Sequence, residues 1–235
     1  MSSTTWTPRA VASKAASCTL PLWRAVEAQH VVSTMRLVDG LAEQEVLEGI
    51  LERTKPALPA EAKGIDYLLF TPFRYPPTGS GSRFRAVTDA GVFYGAEERR
   101  TACAEVGYWR WRFLMDSPGL ADLGSVPHTL FKVKAETTAI DLRTKPFAAQ
   151  SRRWTAMNDY RSTQHIAQLA RQAGVGMIRY QSVRDPDKGG CAALLTPEAF
   201  VSPRRPLDKQ TWLLTVTRAF STWQRNDENF EFVWA

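Results

Sequence analysis

The chain has 235 residues, 44% of them hydrophobic and 23% charged, which is ordinary globular usage and enough for one domain with an appendage. A net charge of +6 and a pI near 9.4 suit an anionic partner, whether nucleic acid, a phosphorylated metabolite or an acidic protein. No apolar run reaches the roughly 18 residues of a membrane-spanning helix. Cys18, Cys103 and Cys191 are scattered, and His30, His128 and His165 show no ligand spacing with them, which argues against a disulfide framework or a structural zinc site. No metal is expected, and the cytoplasm is the expected compartment.

Residues 1–20 are small and polar and read as a disordered leader, without the apolar centre of a signal peptide. Two helices are expected next. LWRAVEAQHVVSTMRLV starts at Leu22 and ends at the breaker Asp39-Gly40. LAEQEVLEGILERTK places Leu47, Ile50, Leu51 and Thr54 on one face, keeps a solvated acidic face opposite, and stops before Pro56–Pro59. Residues 21–60 are thus read as a helical extension, and residues 61–235 as the main domain.

The aromatic and branched run Tyr67–Arg74 (YLLFTPFR) predicts a strand. A Pro/Gly/Ser loop follows, then strand pieces at Arg83–Val87 and Gly91–Tyr94. Glu97–Phe113 predicts a helix with Ala102, Glu105, Val106 and Trp109 on one side, so a carboxylate lies in an apolar stripe. Such a carboxylate faces inward or toward a cleft. Trp109, Trp111 and the arginines beside them resemble a stacking platform for nucleic acid, but at helical spacing Trp109 and Phe113 read as core. Thr129–Leu142 alternates as a strand. Asn158–Gly174 predicts a helix with Ile166, Leu169, Ala170 and Ala173 inward, a structural His165 beside them and Gly174 as its stop. Val175–Arg184, Cys191–Thr196, Thr211–Thr217 and Phe230–Trp234 read as further strands. Strands outnumber helices and stand in groups between them, which predicts an α+β fold with a compact mixed sheet.

The loop after residue 73 gathers Arg74, Arg83 and Arg85 around flexible backbone, which suits phosphate: guanidinium forks donate paired hydrogen bonds and glycines let backbone N–H groups approach. GSRF (Gly81–Phe84), VFY (Val92–Tyr94), Glu105 on the next helix, and IRYQSVR followed by Gly189-Gly190 together resemble the RES domain, over roughly residues 67–200. That family, named for its Arg, Glu and Ser, comprises toxins of bacterial toxin–antitoxin pairs.

The resemblance implies an NAD+-degrading enzyme with a fold related to ADP-ribosyltransferases, and an Xre-like antitoxin that covers the active site and carries any DNA contact. It maps the family arginine to Arg83, the aromatic to Tyr94, the acid to Glu105 and the serine to Ser182, and matches Arg74 to an upstream arginine. Where the family usually has Trp-Asn or Trp-Ser after the arginine, this chain has Phe84-Arg85.

The chemistry fits these residue types. Loss of nicotinamide passes through an oxocarbenium ion, which one carboxylate can stabilise while it orients the nucleophile. Glu105 has that part, with Arg83 and Ser182 as catalytic partners. Arg74, Arg85 and Tyr94 are read as NAD+-binding residues, with Tyr94 stacking nicotinamide or packing the ribose. NAD+ is then a substrate, inorganic phosphate a candidate co-substrate, and no catalytic cofactor is needed. Phosphorolysis, hydrolysis and mono-ADP-ribosylation of a protein stay open, as does a homo-oligomer. A basic nucleic-acid-binding module is the reading from a different class.

Overall fold

The computed structural model describes residues 6–28, 40–76, 79 and 81–234. In chain order the elements are α1 (Pro8–Ala12), β1 (Ala16–Glu27), α2 (Leu41–Thr54), α3 (Tyr67–Arg74), β2 (Phe93–Ala96), α4 (Arg99–Met115) and β3 (Ser125–Asp141). Then follow α5 (Ser151–Trp154), α6 (Arg161–Gln172), β4 (Met177–Gln181), β5 (Gly190–Leu194), β6 (Asp208–Val216), β7 (Phe220–Arg225) and β8 (Glu228–Val233). The fold is mixed α/β, as expected: eight strands form one sheet in the order β1-β2-β5-β4-β3-β6-β7-β8, with β1 also paired to β3.

That extra pairing closes five strands into a ring. β1 runs antiparallel to β3 from Ala16↔Ala139 to Glu27↔His128, and on its other edge Trp23 meets Ala96 of β2. β3 is parallel to β4 through Ala139↔Met177, and elsewhere along its length it carries β6. Side chains alternate across the strands and so feed two cores. Leu22, Phe93, Phe131, Val133, Ala192 and Leu194 pack on one side with Leu68, Leu69 and Phe73 of α3. Leu130, Ile140, Ile178 and Ala193 pack on the other with Ala102 and Cys103 of α4 and Ile166 and Ala170 of α6.

Several local expectations change. The segment from Leu22 was expected to be helical, yet its described part belongs to strand β1; the remainder, residues 29–39, lies outside the described residues. From Leu22 onward β1 sends Leu22 and Val26 to one core and Trp23 and Ala25 to the other, so no polar alternation marks that stretch as a strand. The N-terminal stretch read as a leader contributes α1 and the first residues of β1, with residues 1–5 outside the described set.

Tyr67–Arg74 is a helix rather than a strand. The Asp66 carboxylate caps it by accepting from the Leu68 N–H at 2.9 Å, and burial of Leu68, Leu69 and Phe73 on one side outweighs their strand preference. Arg83–Val87 is a tight turn, and β7 is a strand that was not anticipated. The expected second helix is present as α2, but Leu41, Val46, Ile50 and Leu51 on it are exposed. His165, read as structural, is exposed as well. Among the described residues no helix is long and apolar enough to cross a membrane.

α4 sits close against the sheet because Gly107 faces β7. A β-carbon there would crowd Ser221 Oγ and Trp223 Nε1. This seating sets which residues of α4 look into the cleft beside β1 and β2.

Candidate active site

A cavity of about 290 Å³ opens between β1, β2, α4 and the turn at residues 81–85. Ala102, Glu105, Val106 and Trp109, the stripe read from the sequence, all line it. Trp109 corrects the core reading, since it is 51% exposed and stands at the cavity edge; Phe113 is exposed too.

The turn is built by its own sequence. Gly81 has φ +83°, and a β-carbon there would collide with the Arg85 carbonyl, so glycine is required. Ser82 and Arg85 exchange backbone hydrogen bonds at 2.8 and 3.1 Å, which leaves Arg83 and Phe84 at the tip. Phe84 is fully buried edge-on against Tyr180, with centroids 4.8 Å apart. Arg83 lines the cavity.

The Tyr94 hydroxyl fixes this turn. It accepts the Phe84 N–H at 2.9 Å and bonds Ser82 Oγ at 2.8 Å, while Gln164 of α6 donates to the Ser82 and Arg85 carbonyls. Burial raises the phenol's pKa above its ordinary value, so it stays a neutral partner.

Glu105 is held from behind. Ser182 Oγ donates to its Oε1 at 2.6 Å, and that oxygen of Ser182 itself accepts the N–H groups of Arg184 and Asp185 at 3.1 and 2.9 Å. Two accepted N–H bonds leave the hydroxyl proton aimed at the carboxylate. Ser182 is fully buried, so it positions Glu105 and is not itself presented to the cavity. Burial raises the Glu105 pKa, while the Ser182 hydrogen bond and the Arg83 and Arg184 charges pull it back. The Asp185 end of this loop is anchored by Arg100 and Thr101. Gly189-Gly190 passes so close to Thr101, Glu97 and Arg143 that a side chain on either glycine would collide.

Three guanidinium groups line the cavity, and none has a carboxylate partner among the described residues. Arg83 donates to the Trp154 and Ala156 carbonyls at 3.1 and 3.0 Å, with its guanidinium 4.9 Å from the Tyr160 ring centre. Arg184 donates to the Met157 carbonyl at 2.7 Å and lies 3.8 Å from the Tyr108 ring centre and 5.4 Å from that of Trp109. Arg24 donates to the Tyr94 carbonyl at 2.8 Å, and its Nε is buried with no hydrogen-bond partner. Burial pushes the Arg24 pKa down to about 10, so it remains charged at neutral pH. An unmatched buried donor is costly, and a ligand that accepts from it relieves that cost.

Of the residues singled out in the sequence, Arg83, Tyr94 and Glu105 therefore meet at one cavity, with Ser182 behind Glu105. Arg74 and Arg85 stand elsewhere. Arg74 Nε donates to the Pro56 carbonyl, and Arg85 reaches the Asp89 and Tyr75 carbonyls beside a separate, more open cavity. Sequence reasoning missed Arg24, Tyr160 and Arg184 as cavity residues. The available signal for Arg24 was a charge inside the apolar run LWRAV, and for Arg184 its place directly after Ser182-Val183.

A RES domain family model matches residues 58–217 of this chain. The chain belongs to the RES domain family. No curated protein matches it. Among solved structures, a chain from the crystal structure of the M. tuberculosis MbcT–MbcA toxin–antitoxin complex aligns with 87% of this chain and 90% of its own length. Its sequence identity is 10% and the TM-score is 0.51, so the likeness is one of fold. The match begins before α3 and ends just after β6, so this RES domain borrows β1, which carries Arg24, from outside the matched span. Among the described residues no cluster of three or more His, Cys, Asp or Glu could hold a metal ion.

Proposed function

We propose that this RES domain protein is the toxin of a toxin–antitoxin pair and cleaves the nicotinamide–ribose bond of NAD+. The observation that carries the reading is a single carboxylate, Glu105, fixed by Ser182 at the wall of a cavity whose three arginines lack carboxylate partners among the described residues. The arginines take the diphosphate, and Glu105 lies beside the ribose carbon that becomes cationic.

The carbon–nitrogen bond breaks with its electron pair going to the nicotinamide nitrogen, which neutralises the pyridinium and needs no acid. The new bond forms from phosphate or from water to the ribose carbon. Water gives its proton to the Glu105 carboxylate, whereas a phosphate oxyanion has none to give up at the attacking oxygen. Tyr94 shapes the site through its ring while its hydroxyl holds the turn that carries Arg83.

An Xre-like antitoxin covering this basic cleft completes the proposal, and the fold shared with a chain of a toxin–antitoxin complex supports it. Incubation with NAD+, with and without phosphate, followed by product mass tests the activity. ADP-ribose-1″-phosphate identifies phosphorolysis, ADP-ribose hydrolysis, and an ADP-ribosylated protein the transferase. Intact NAD+ together with salt-sensitive nucleic-acid binding would replace the reading with the binding module.

A further inference from the structure

The cavity of about 290 Å³ is at or below the small end of ligand sites, too small to enclose a dinucleotide. Two further cavities adjoin it. One, of about 340 Å³, shares Gly81, Ser82 and Tyr94 with it. The wall between these two is tied shut by the Tyr94 hydroxyl, which bonds Ser82 Oγ and the Phe84 N–H. The other, of about 180 Å³, shares only Arg24 with the main cavity. The divider there is a cation whose buried Nε has no partner. A ligand that crosses at this point does so with an acceptor at Arg24, and its two arms fill the two cavities.

We propose that the 180 Å³ cavity between β1 and α3 is the subsite for the second nucleoside of the substrate, with Arg24 on the bridging phosphates. This rests on the NAD+ reading above and assigns the adenosine half to the new cavity. Tyr67, 50% exposed at the start of α3, offers a ring face to the base. Val26 and Leu68 supply apolar walls, Thr129 supplies a hydroxyl group, and the Thr71 hydroxyl, which donates to the Tyr67 carbonyl, can still accept. Glu27 at the rim is ion-paired to Arg110, which reduces its repulsion of the phosphates while leaving carboxylate oxygens to accept ribose hydroxyls. The position of α3 explains why the sequence hid this site: read as a strand, Tyr67 and Thr71 fall on one face of a sheet, whereas as a helix they are one turn apart beside β1.

The test compares NAD+ with nicotinamide mononucleotide, which lacks the adenylate arm, in the wild type, Tyr67→Ala and Thr129→Phe, two positions that line this cavity and not the one beside Arg85. The first variant removes the ring and the second fills the cavity. The wild type should favour NAD+ in kcat/KM by about tenfold or more, the order that one stacked base supplies. Both variants should bring that ratio to within about threefold of unity, and both should weaken binding of ADP-ribose by about tenfold. If ADP-ribose binding and the ratio are unchanged in both folded variants, or respond instead to Arg85→Ala and Tyr75→Ala beside the other cavity, the assignment is wrong. If ADP-ribose binding falls as expected but neither compound is cleaved, the subsite stands and the proposed activity falls.

Discussion

Two clusters of arginines and carboxylates flank the same sheet and are built on opposite plans. At the ends of β2, β3 and β4, Glu97 pairs with Arg143 and Arg179 at 3.0 and 2.9 Å, and Asp141 pairs with the same two at 2.8 and 3.6 Å. Each charge there is answered by an opposite one, and the Asp141 pKa falls below its ordinary value because the bonds from Arg143 outweigh burial. In the cavity, Glu105 touches a hydroxyl, and Arg24, Arg83 and Arg184 touch carbonyls and rings. The first cluster pairs every charge without a ligand, although Arg179 Nε, like Arg24 Nε, is a buried donor with no hydrogen-bond partner among the described residues. The second keeps its charges apart and buried, an arrangement that costs stability and leaves every one of them available to an anionic substrate.

The largest effect separating the clusters should come from Glu105→Gln. Turnover of NAD+ should fall by about two to four orders of magnitude, the loss of one transition-state group. The same substitution should stabilise the protein at neutral pH. A carboxyl whose folded pKa is raised destabilises the fold once it ionises, so the penalty is absent at low pH and grows as pH rises above its unfolded value. Thermal melts at pH 7 and pH 4 should show the gain at pH 7 and less of it at pH 4. A folded variant with near-native turnover removes Glu105 from the mechanism.

Arg83→Ala should weaken NAD+ binding by about ten- to a hundredfold, as for loss of a charge-assisted contact of about 1.5–3 kcal/mol. Arg85→Ala should change it less than about threefold, because Arg85 faces the other cavity. Equal losses in the two variants would place the phosphates on the wrong side of the Tyr94 wall.

Ser182→Ala should lower kcat about tenfold, since Glu105 keeps its place less well. It should also move the acid limb of the pH–rate profile upward, because the Ser182 hydrogen bond opposes the raised pKa of Glu105. A fall in kcat with an unmoved limb would mean that Ser182 acts on the 182–185 loop alone. The smallest effect on activity belongs to the paired cluster. Asp141→Asn should cost about 1–2 kcal/mol of stability, between exposed and buried pairs, with kcat changed less than about twofold. Urea unfolding beside an activity assay decides it.

The sequence was legible where one local requirement dictates one residue type. The turn glycine, the arginine after it, the carboxylate in an apolar helix stripe and the serine before a glycine pair all carry such requirements, and the fold brings them together. It was illegible where tertiary burial decides. From Leu22 onward β1 lies between two cores and so lacks alternation there, which hid Arg24 inside an apparent helix. Trp109 has the helical spacing of a core residue, yet the cavity beside β1 leaves its position half open. YLLFTPFR has strand composition, and only the Asp66 cap and the apolar sheet face beneath it make it a helix.

The most direct measurement of the central claim, that the unpaired arginines await a phosphate-bearing substrate, is calorimetric titration of the Glu105→Gln protein with NAD+ and with nicotinamide riboside. The two ligands share the reacting bond and differ in the phosphates and the adenosine. NAD+ should bind at least about tenfold more tightly, and Arg24→Ala in the same background should narrow that gap by about tenfold, the worth of one charge-assisted contact. Equal affinities for the two ligands, or a gap indifferent to Arg24, would contradict the account.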